Sequence, residues 1–296
     1  MSGAGARAAE IAQRIIEWYP DHARDLPWRC DGFPAWGQLI AEFMLQQTPV
    51  VRVIPRLAEW LERWPSPADL ASVPPGEAVR AWDHLGYPRR ALALHATATA
   101  IVERHGGVVP ADVDALLELP GIGPYTARAI AAFSYGIRTP VVDTNTRRVL
   151  ARAVAGNGEA GPARAASDLA AMGSLLPADT QHAEIVNAGA MELGQMVCTA
   201  RNPRCDDCPI ADLCVWRAAG YPVYAGVRSR AQKPYAGSDR QARGTIMREL
   251  RRAQTPRARE ALAALWPDQQ AQFARALASL LHDGLVVLND DGYSLP

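Results

Sequence analysis

The sequence predicts a mostly α-helical protein that carries a metal-binding cysteine loop and ends in a small winged-helix-like module. Apolar residues recur at helical spacing through most of the first 220 residues, and four of the five cysteines crowd into "CTARNPRCDDCPIADLC". The last sixty or so residues read as three short helices and a hairpin. At 296 residues the chain has room for two or three domains. Its 31 Lys and Arg balance 31 Asp and Glu, so any polyanion site must be local. No apolar run approaches the roughly 18 residues of a spanning helix, and "MSGAGARAAEIAQRII" lacks an export signal's apolar core. The expected location is cytoplasmic, where thiols stay reduced and clustered cysteines point to metal.

Taken in order, "AAEIAQRIIEWYP" places Ile11, Ile15, Ile16 and Trp18 on a helix expected to stop at Pro20. "DVDALLELPGIGPYTARAIAAFSYG" reads as helix, tight Pro-Gly turn, then a second helix with Pro124 at its first position and Gly136 at its end. "HAEIVNAGAMELGQMV" is a further helix running straight into Cys198. Composition changes near residue 225. Between Arg228 and Arg259 stand ten Lys or Arg against two Asp or Glu, beginning with the linker-like "RSRAQKPYAGSDRQ". Helices are expected over "TIMRELRRA", "RAREALAALW" and "QAQFARALASLLHDG", and a hairpin over "LVVLNDDGYSL", whose apolar residues flank an Asp-Gly turn. This order suggests a nucleic-acid-binding winged helix; a small helical dimerisation module is the alternative.

Cys198, Cys205, Cys208 and Cys214 could hold zinc or an iron–sulfur cluster. Structural zinc sites usually present two close pairs, whereas only Cys205 and Cys208 are close here, which favours iron–sulfur. Cys30 stands alone and reads as a small buried hydrophobe. In "LPGIG", Gly121 and Gly123 open a helix whose bare N–H groups could approach a phosphate, or simply join two helices. Asp143 follows Val141 and Val142 where a helix N-cap belongs, and a carboxylate there stays ionised. Glu42 lies in the apolar "LIAEFMLQQ". On a solvated face it would be ordinary; shielded from water it would hold its proton and suit a general acid.

Together the cluster spacing, "ELPGIGPYTARAI" and "VVDTNTRRVLAR" resemble the helix-hairpin-helix DNA glycosylases that carry an iron–sulfur cluster. "DLPWR" and "AEFMLQQTPV" extend the resemblance to the MutY-type adenine DNA glycosylases, over residues 10–220. It implies a two-lobed fold with a 4Fe-4S cluster loop. The N-terminal helix (1–28) would pack with the cluster lobe (138–224), beside a six-helix domain (29–137), a linker (225–238) and the module (239–296).

The resemblance further implies catalytic roles. Asp143 would stabilise or transiently bond to the sugar cation, Asn145 would orient Asp143 and water, and Glu42 would protonate adenine. Tyr125 replaces the lysine of lyase-competent relatives, which implies a monofunctional enzyme. Leu26, Trp28, Arg29 and Glu192 would line the adenine pocket. Gln47 and Tyr87 would wedge the duplex, Pro88 standing where many members carry a second tyrosine. Gly121 and Gly123 would grip the DNA backbone, and the four cysteines would ligate the cluster.

The implied partner is double-stranded DNA holding a mispaired adenine, bound by a monomer. The family's usual C-terminal 8-oxoguanine-reading domain has no counterpart in this sequence, and the basic tail is expected to supply duplex contacts in its place. A thymine or uracil mismatch glycosylase of the same superfamily, or a non-enzymatic iron–sulfur DNA-binding regulator, are the alternatives.

Overall fold

The computed structural model describes residues 3–227 and 235–296; "RSRAQKP", half of the expected linker, lies outside the described residues. In chain order the helices are α1 (Gly3–His22), α2 (Ala35–Leu45), α3 (Val50–Arg63), α4 (Pro67–Ala71), α5 (Pro75–Trp82) and α6 (Arg89–His105). They continue as α7 (Val113–Leu117), α8 (Pro124–Tyr135), α9 (Thr144–Ala153), α10 (Ala165–Gly173), α11 (Thr180–Met196) and α12 (Val215–Ala218). Helices α13 (Asp239–Arg252), α14 (Arg259–Ala263) and α15 (Gln270–His282) precede a hairpin of β1 (Val287–Asn289) and β2 (Gly292–Ser294). The chain divides into two compact units, each threaded by separate segments.

One unit comprises Met1–Ala35, Ala111–Leu117 and Gly123–Arg230. Its core is formed where α1, α9 and α11 bury Ile11, Ile15, Val149, Val186 and Leu193. The α1 and α11 backbones approach closely because residue 189 is glycine; a Cβ there would meet Ile15 Cγ2 at 2.4 Å. Helix α1 does not stop at Pro20 but runs to His22. A proline in the last turn forfeits one N–H bond only, and the next turn is closed by Ala23 N–H donating to the Tyr19 carbonyl at 2.9 Å. His22 stacks on Trp18, with ring centroids 4.8 Å apart. Cys30, expected inside, is exposed: it follows the short turn Pro27–Arg29, which turns its side chain outward.

The other unit comprises Trp36–Pro110, Glu118–Ile122 and Ala231–Pro296. Helix α2 is enclosed on all sides, every residue from Trp36 to Met44 being buried. Trp60 meets Trp64 and Trp82 edge to face at 4.8 and 5.5 Å. The C-terminal residues form the expected three helices and hairpin, and Arg257 adds an isolated bridge to Tyr293, which is the element order of a winged helix. The hairpin turns on Asp290 and Asp291 rather than on Asp-Gly. Gly292 instead starts the return strand at φ 125°, where a Cβ would strike the Arg257 carbonyl at 2.7 Å.

This module is docked on α5. Arg80 donates to the carbonyls of Arg251 and Ala253, Arg251 Nε donates to the Val79 carbonyl at 3.1 Å, and Gly76 N–H donates to the Pro296 carbonyl at 2.6 Å. Several of its basic residues are thereby occupied internally. Arg243 is held by Asp283 and Arg257 by Glu249, and the hairpin tip is acidic.

Candidate active site

Asp143 caps α9 with extended backbone (φ −94°, ψ −174°). Its Oδ1 accepts from the Thr146 N–H at 2.6 Å, and its Oδ2 accepts from Asn145 Nδ2 at 2.8 Å. Capping and orientation therefore use one carboxylate, leaving it an acceptor-rich, half-exposed anion at a positive helix end. The segment that delivers it is pinned by Asn187, buried on α11. Its Oδ1 accepts from Val141 N–H at 2.9 Å and its Nδ2 donates to the Thr139 carbonyl at 3.0 Å. Asn145 is fixed in turn by Arg148, whose Nη2 donates to Asn145 Oδ1 at 2.8 Å. Gly194 on α11 makes room for Asn145; a Cβ there would lie 2.7 Å from the Asn145 carbonyl oxygen. Tyr125, in the first turn of α8, packs against the small core of Ala129, Ala132 and Val141 that abuts the Asp143 segment.

In the same unit Glu192 is wholly buried on α11 and clamped by two arginines. Arg24 Nε and Nη2 donate to its two oxygens at 2.6 and 3.0 Å, the Arg24 N–H adds a third bond, and Arg29 Nη2 donates at 2.7 Å. Burial alone pushes a carboxyl up, but the hydrogen bonds from Arg24 and Arg29 overcome it and hold Glu192 at about 2. Leu26 is buried just before the turn that carries Trp28 and Arg29, and the Arg29 guanidinium also lies over the Tyr19 ring at 5.6 Å. The structure thus brings Arg29 and Glu192 into contact, with Leu26 and Trp28 on the same short segment.

Of the remaining candidates, Glu42, Gln47, Tyr87 and Gly121 belong to the other unit, and Gly123 and the four cysteines to the first. Glu42 is buried rather than solvated, and Gln38 Nε2, one turn earlier on α2, donates to it at 3.1 Å. Gln47 and Tyr87 are exposed on separate loops and both hold left-handed backbone, at φ 56° and 47°. Gly121 sits at φ 77° with Ala93 Cβ and the Phe43 ring against its Cα, so no side chain fits there. Gly123, the N-cap of α8, has nothing within 4 Å of a notional Cβ. The protein itself does not require glycine at 123, and its bareness leaves the start of α8 open to a ligand.

The four cysteines line a partly open hollow beside Arg152 and Trp216. Burial pushes the Cys198 and Cys208 thiols up, Cys208 to about 12, so these groups become thiolates only when metal displaces their protons. Arg152 Nη1 donates to Cys198 Sγ at 3.4 Å and spans the loop to the Thr199 carbonyl at 2.7 Å, supplying the positive charge that clustered thiolates demand. This donor set suits an iron–sulfur cluster.

Arg24, Asn187 and Gly194 escaped the sequence reading. Arg24 stands two residues before "LPWR" and Gly194 two residues after Glu192, so their neighbourhoods could have suggested them; Asn187, mid-helix, carried no such signal.

A family model described as the HhH-GPD superfamily base excision DNA repair protein matches residues 40–172, and the iron-sulfur binding domain of endonuclease III matches residues 198–214. Fold and cysteine loop thus define a helix-hairpin-helix base excision repair protein with a 4Fe-4S cluster. The chain is 52% identical over 278 residues to the adenine DNA glycosylase of Mycolicibacterium smegmatis, covering 94% of this chain and 93% of that one. It is 48% identical over 283 residues to that of Mycobacterium tuberculosis, covering 95% and 92%. It belongs to the adenine DNA glycosylase family. Among solved structures, a thermostable thymine-DNA glycosylase matches with a TM-score of 0.65 at 24% identity, covering 72% of this chain and 98% of that one, a likeness of fold.

Proposed function

We propose that the chain hydrolyses the N-glycosidic bond of adenine mispaired with 8-oxoguanine or guanine in duplex DNA, leaving an abasic site with the strand intact. The observation that carries this reading is Asp143. A carboxylate fixed in one orientation by a backbone N–H and by Asn145, at the positive end of α9, is placed to face an oxocarbenium-like sugar. Glu42, shielded from water and accepting from Gln38, would deliver the proton that makes adenine a leaving group. Tyr125 cannot form a Schiff base, so release stops at the abasic site.

The base must leave the stack to be reached. Leu26, Trp28, Arg29 and Glu192 would receive it, Glu192 being anionic and Arg29 cationic for complementary contacts to the ring edge. Gln47 and Tyr87 would fill the gap, while the N–H groups at Gly121 and Gly123 hold the backbone phosphates without reading sequence. The cluster, when bound, supplies a rigid loop carrying Arg201 and Arg204 toward phosphates. The protein would act as a monomer in the cytoplasm; no helix among the described residues is long and apolar enough to cross a membrane.

Duplexes holding A, T or U opposite G or 8-oxoguanine, incubated with the protein and then treated with alkali, test this. Adenine release with alkali-dependent cleavage is expected. Pyrimidine release would replace the reading with a mismatch thymine or uracil glycosylase, and intact strands would leave only DNA binding.

A further inference from the structure

Gln47 and Tyr87 lie on loops forty residues apart in sequence, yet a single buried side chain holds both. Arg90, in the first turn of α6, is only 9% exposed. Its Nη1 donates to the carbonyls of Phe43, Met44 and Gln46 at 2.8, 3.1 and 2.5 Å. Its Nη2 donates to Thr48 Oγ1 and to the carbonyls of Leu85 and Gly86 at 3.2, 3.3 and 3.0 Å. The guanidinium also stacks near the Trp82 and Tyr87 rings, at 5.2 and 5.5 Å from their centroids. Phe43 and Met44 directly follow Glu42, so the same cation neutralises the negative end of α2. Burial lowers the Arg90 guanidinium to about 10, which leaves it charged at neutral pH.

This arrangement solves a particular problem. Gln47 and Tyr87 are non-glycine residues in left-handed backbone, a conformation that persists only where the surroundings over-determine it. The carbonyls of Gln46 and Gly86, each one residue before a left-handed position, both accept from Arg90, and Thr48 Oγ1 also donates to the Leu85 carbonyl at 3.3 Å. A planar fork with two terminal nitrogens can serve two loops at once; the point charge of a lysine cannot.

We propose that Arg90 is a positioning residue that couples the two duplex-wedging residues, Gln47 and Tyr87, to each other and to the end of the helix bearing Glu42. Loss of the clamp would let each wedge sample its own conformations, so mispaired and fully paired DNA would be told apart less well. The inference rests on the adenine glycosylase reading for its function, although the clamp is a property of the free protein.

The test uses the full-length, cluster-loaded chain in an Asp143→Asn background, so that no substrate is consumed. Equilibrium binding is compared between a duplex holding adenine opposite 8-oxoguanine and its fully paired counterpart. Arg90→Lys is expected to lower the preference for the mispaired duplex at least tenfold, and Thr48→Val to lower it by a smaller factor, threefold or so. In a protein carrying both Gln47→Ala and Tyr87→Ala, adding Arg90→Lys should cost little more, because both wedges through which it acts are gone. Hydrogen exchange of the free protein should show residues 46–48 and 85–87 losing protection together in Arg90→Lys. Undiminished preference, an equal further loss in the Gln47→Ala, Tyr87→Ala background, or unchanged exchange in both loops would each overturn the proposal; if Arg90→Lys fails to fold, Thr48→Val decides alone. Should the unmodified chain release no adenine at all, the functional reading fails, while the exchange experiment still decides whether the clamp exists.

Discussion

Replacing Glu192 with glutamine removes one charge and almost no volume from the centre of the Arg24–Glu192–Arg29 cluster. A glutamate carboxyl that ordinarily titrates near 4.5 is held at about 2, and at about 1.4 kcal/mol per pH unit this difference contributes on the order of 3 kcal/mol to native stability at neutral pH. The sign follows from the direction of the shift. Because the folded state lowers the pKa, the contribution is complete above about pH 4.5 and disappears as pH falls toward 2. Glu192→Gln should therefore be less stable than the parent by about 3 kcal/mol at pH 7, with the gap shrinking by about 2 kcal/mol between pH 5 and pH 3. Urea unfolding followed by circular dichroism measures both numbers. Acid loss of iron cancels in the comparison, since the two proteins share every cluster cysteine. A gap below 1 kcal/mol at pH 7, or one that stays constant on acidification, would show that the two arginines do not hold this carboxylate as described.

Three further outcomes are expected. Asp143→Asn and Glu42→Gln should each reduce single-turnover adenine release by at least about a thousandfold while DNA affinity stays within a few-fold, because each removes a charge or proton needed in the transition state; retained turnover in either would strip that residue of its role. Tyr125→Lys should yield a covalent DNA adduct trapped by borohydride, since an amine would then occupy the first turn of α8 beside the Asp143 segment. Gly194→Ala should cost about 1–3 kcal/mol of stability and depress kcat more than KM, because the new methyl meets the Asn145 backbone that orients Asp143; wild-type kinetics in that variant would mean that α9 yields without consequence.

Local patterns were legible in the sequence where the cause is local. Asp143 reads as an N-cap because an acceptor is needed there, and it caps α9 in the structure. The Pro124 start and Gly136 stop of α8 follow from proline's missing donor and glycine's access to left-handed backbone. Legibility ends where partners are distant. Arg24 and Glu192 are separated by 168 positions, and nothing within either motif announces the other. Glu42 could have faced solvent on periodicity alone; its burial is decided by elements that enclose α2 on every side. The basic run near the C-terminus hides its partners in the same way: Arg243 and Arg257 pair with Asp283 and Glu249 inside the module, and Arg251 donates to the Val79 carbonyl of α5.

Trp216 lies against the Arg152 guanidinium, 4.7 Å from its ring centroid, at the wall of the cysteine hollow. Five of the remaining tryptophans, Trp36, Trp60, Trp64, Trp82 and Trp266, belong to the unit without cysteine ligands. An iron–sulfur centre absorbs broadly where indoles emit, so a cluster bound in this hollow would quench Trp216, and loss of iron would restore its emission. Trp18, in the core against which three of the cysteines pack, would report alongside it, so the molecule carries a label-free optical gauge of cluster occupancy.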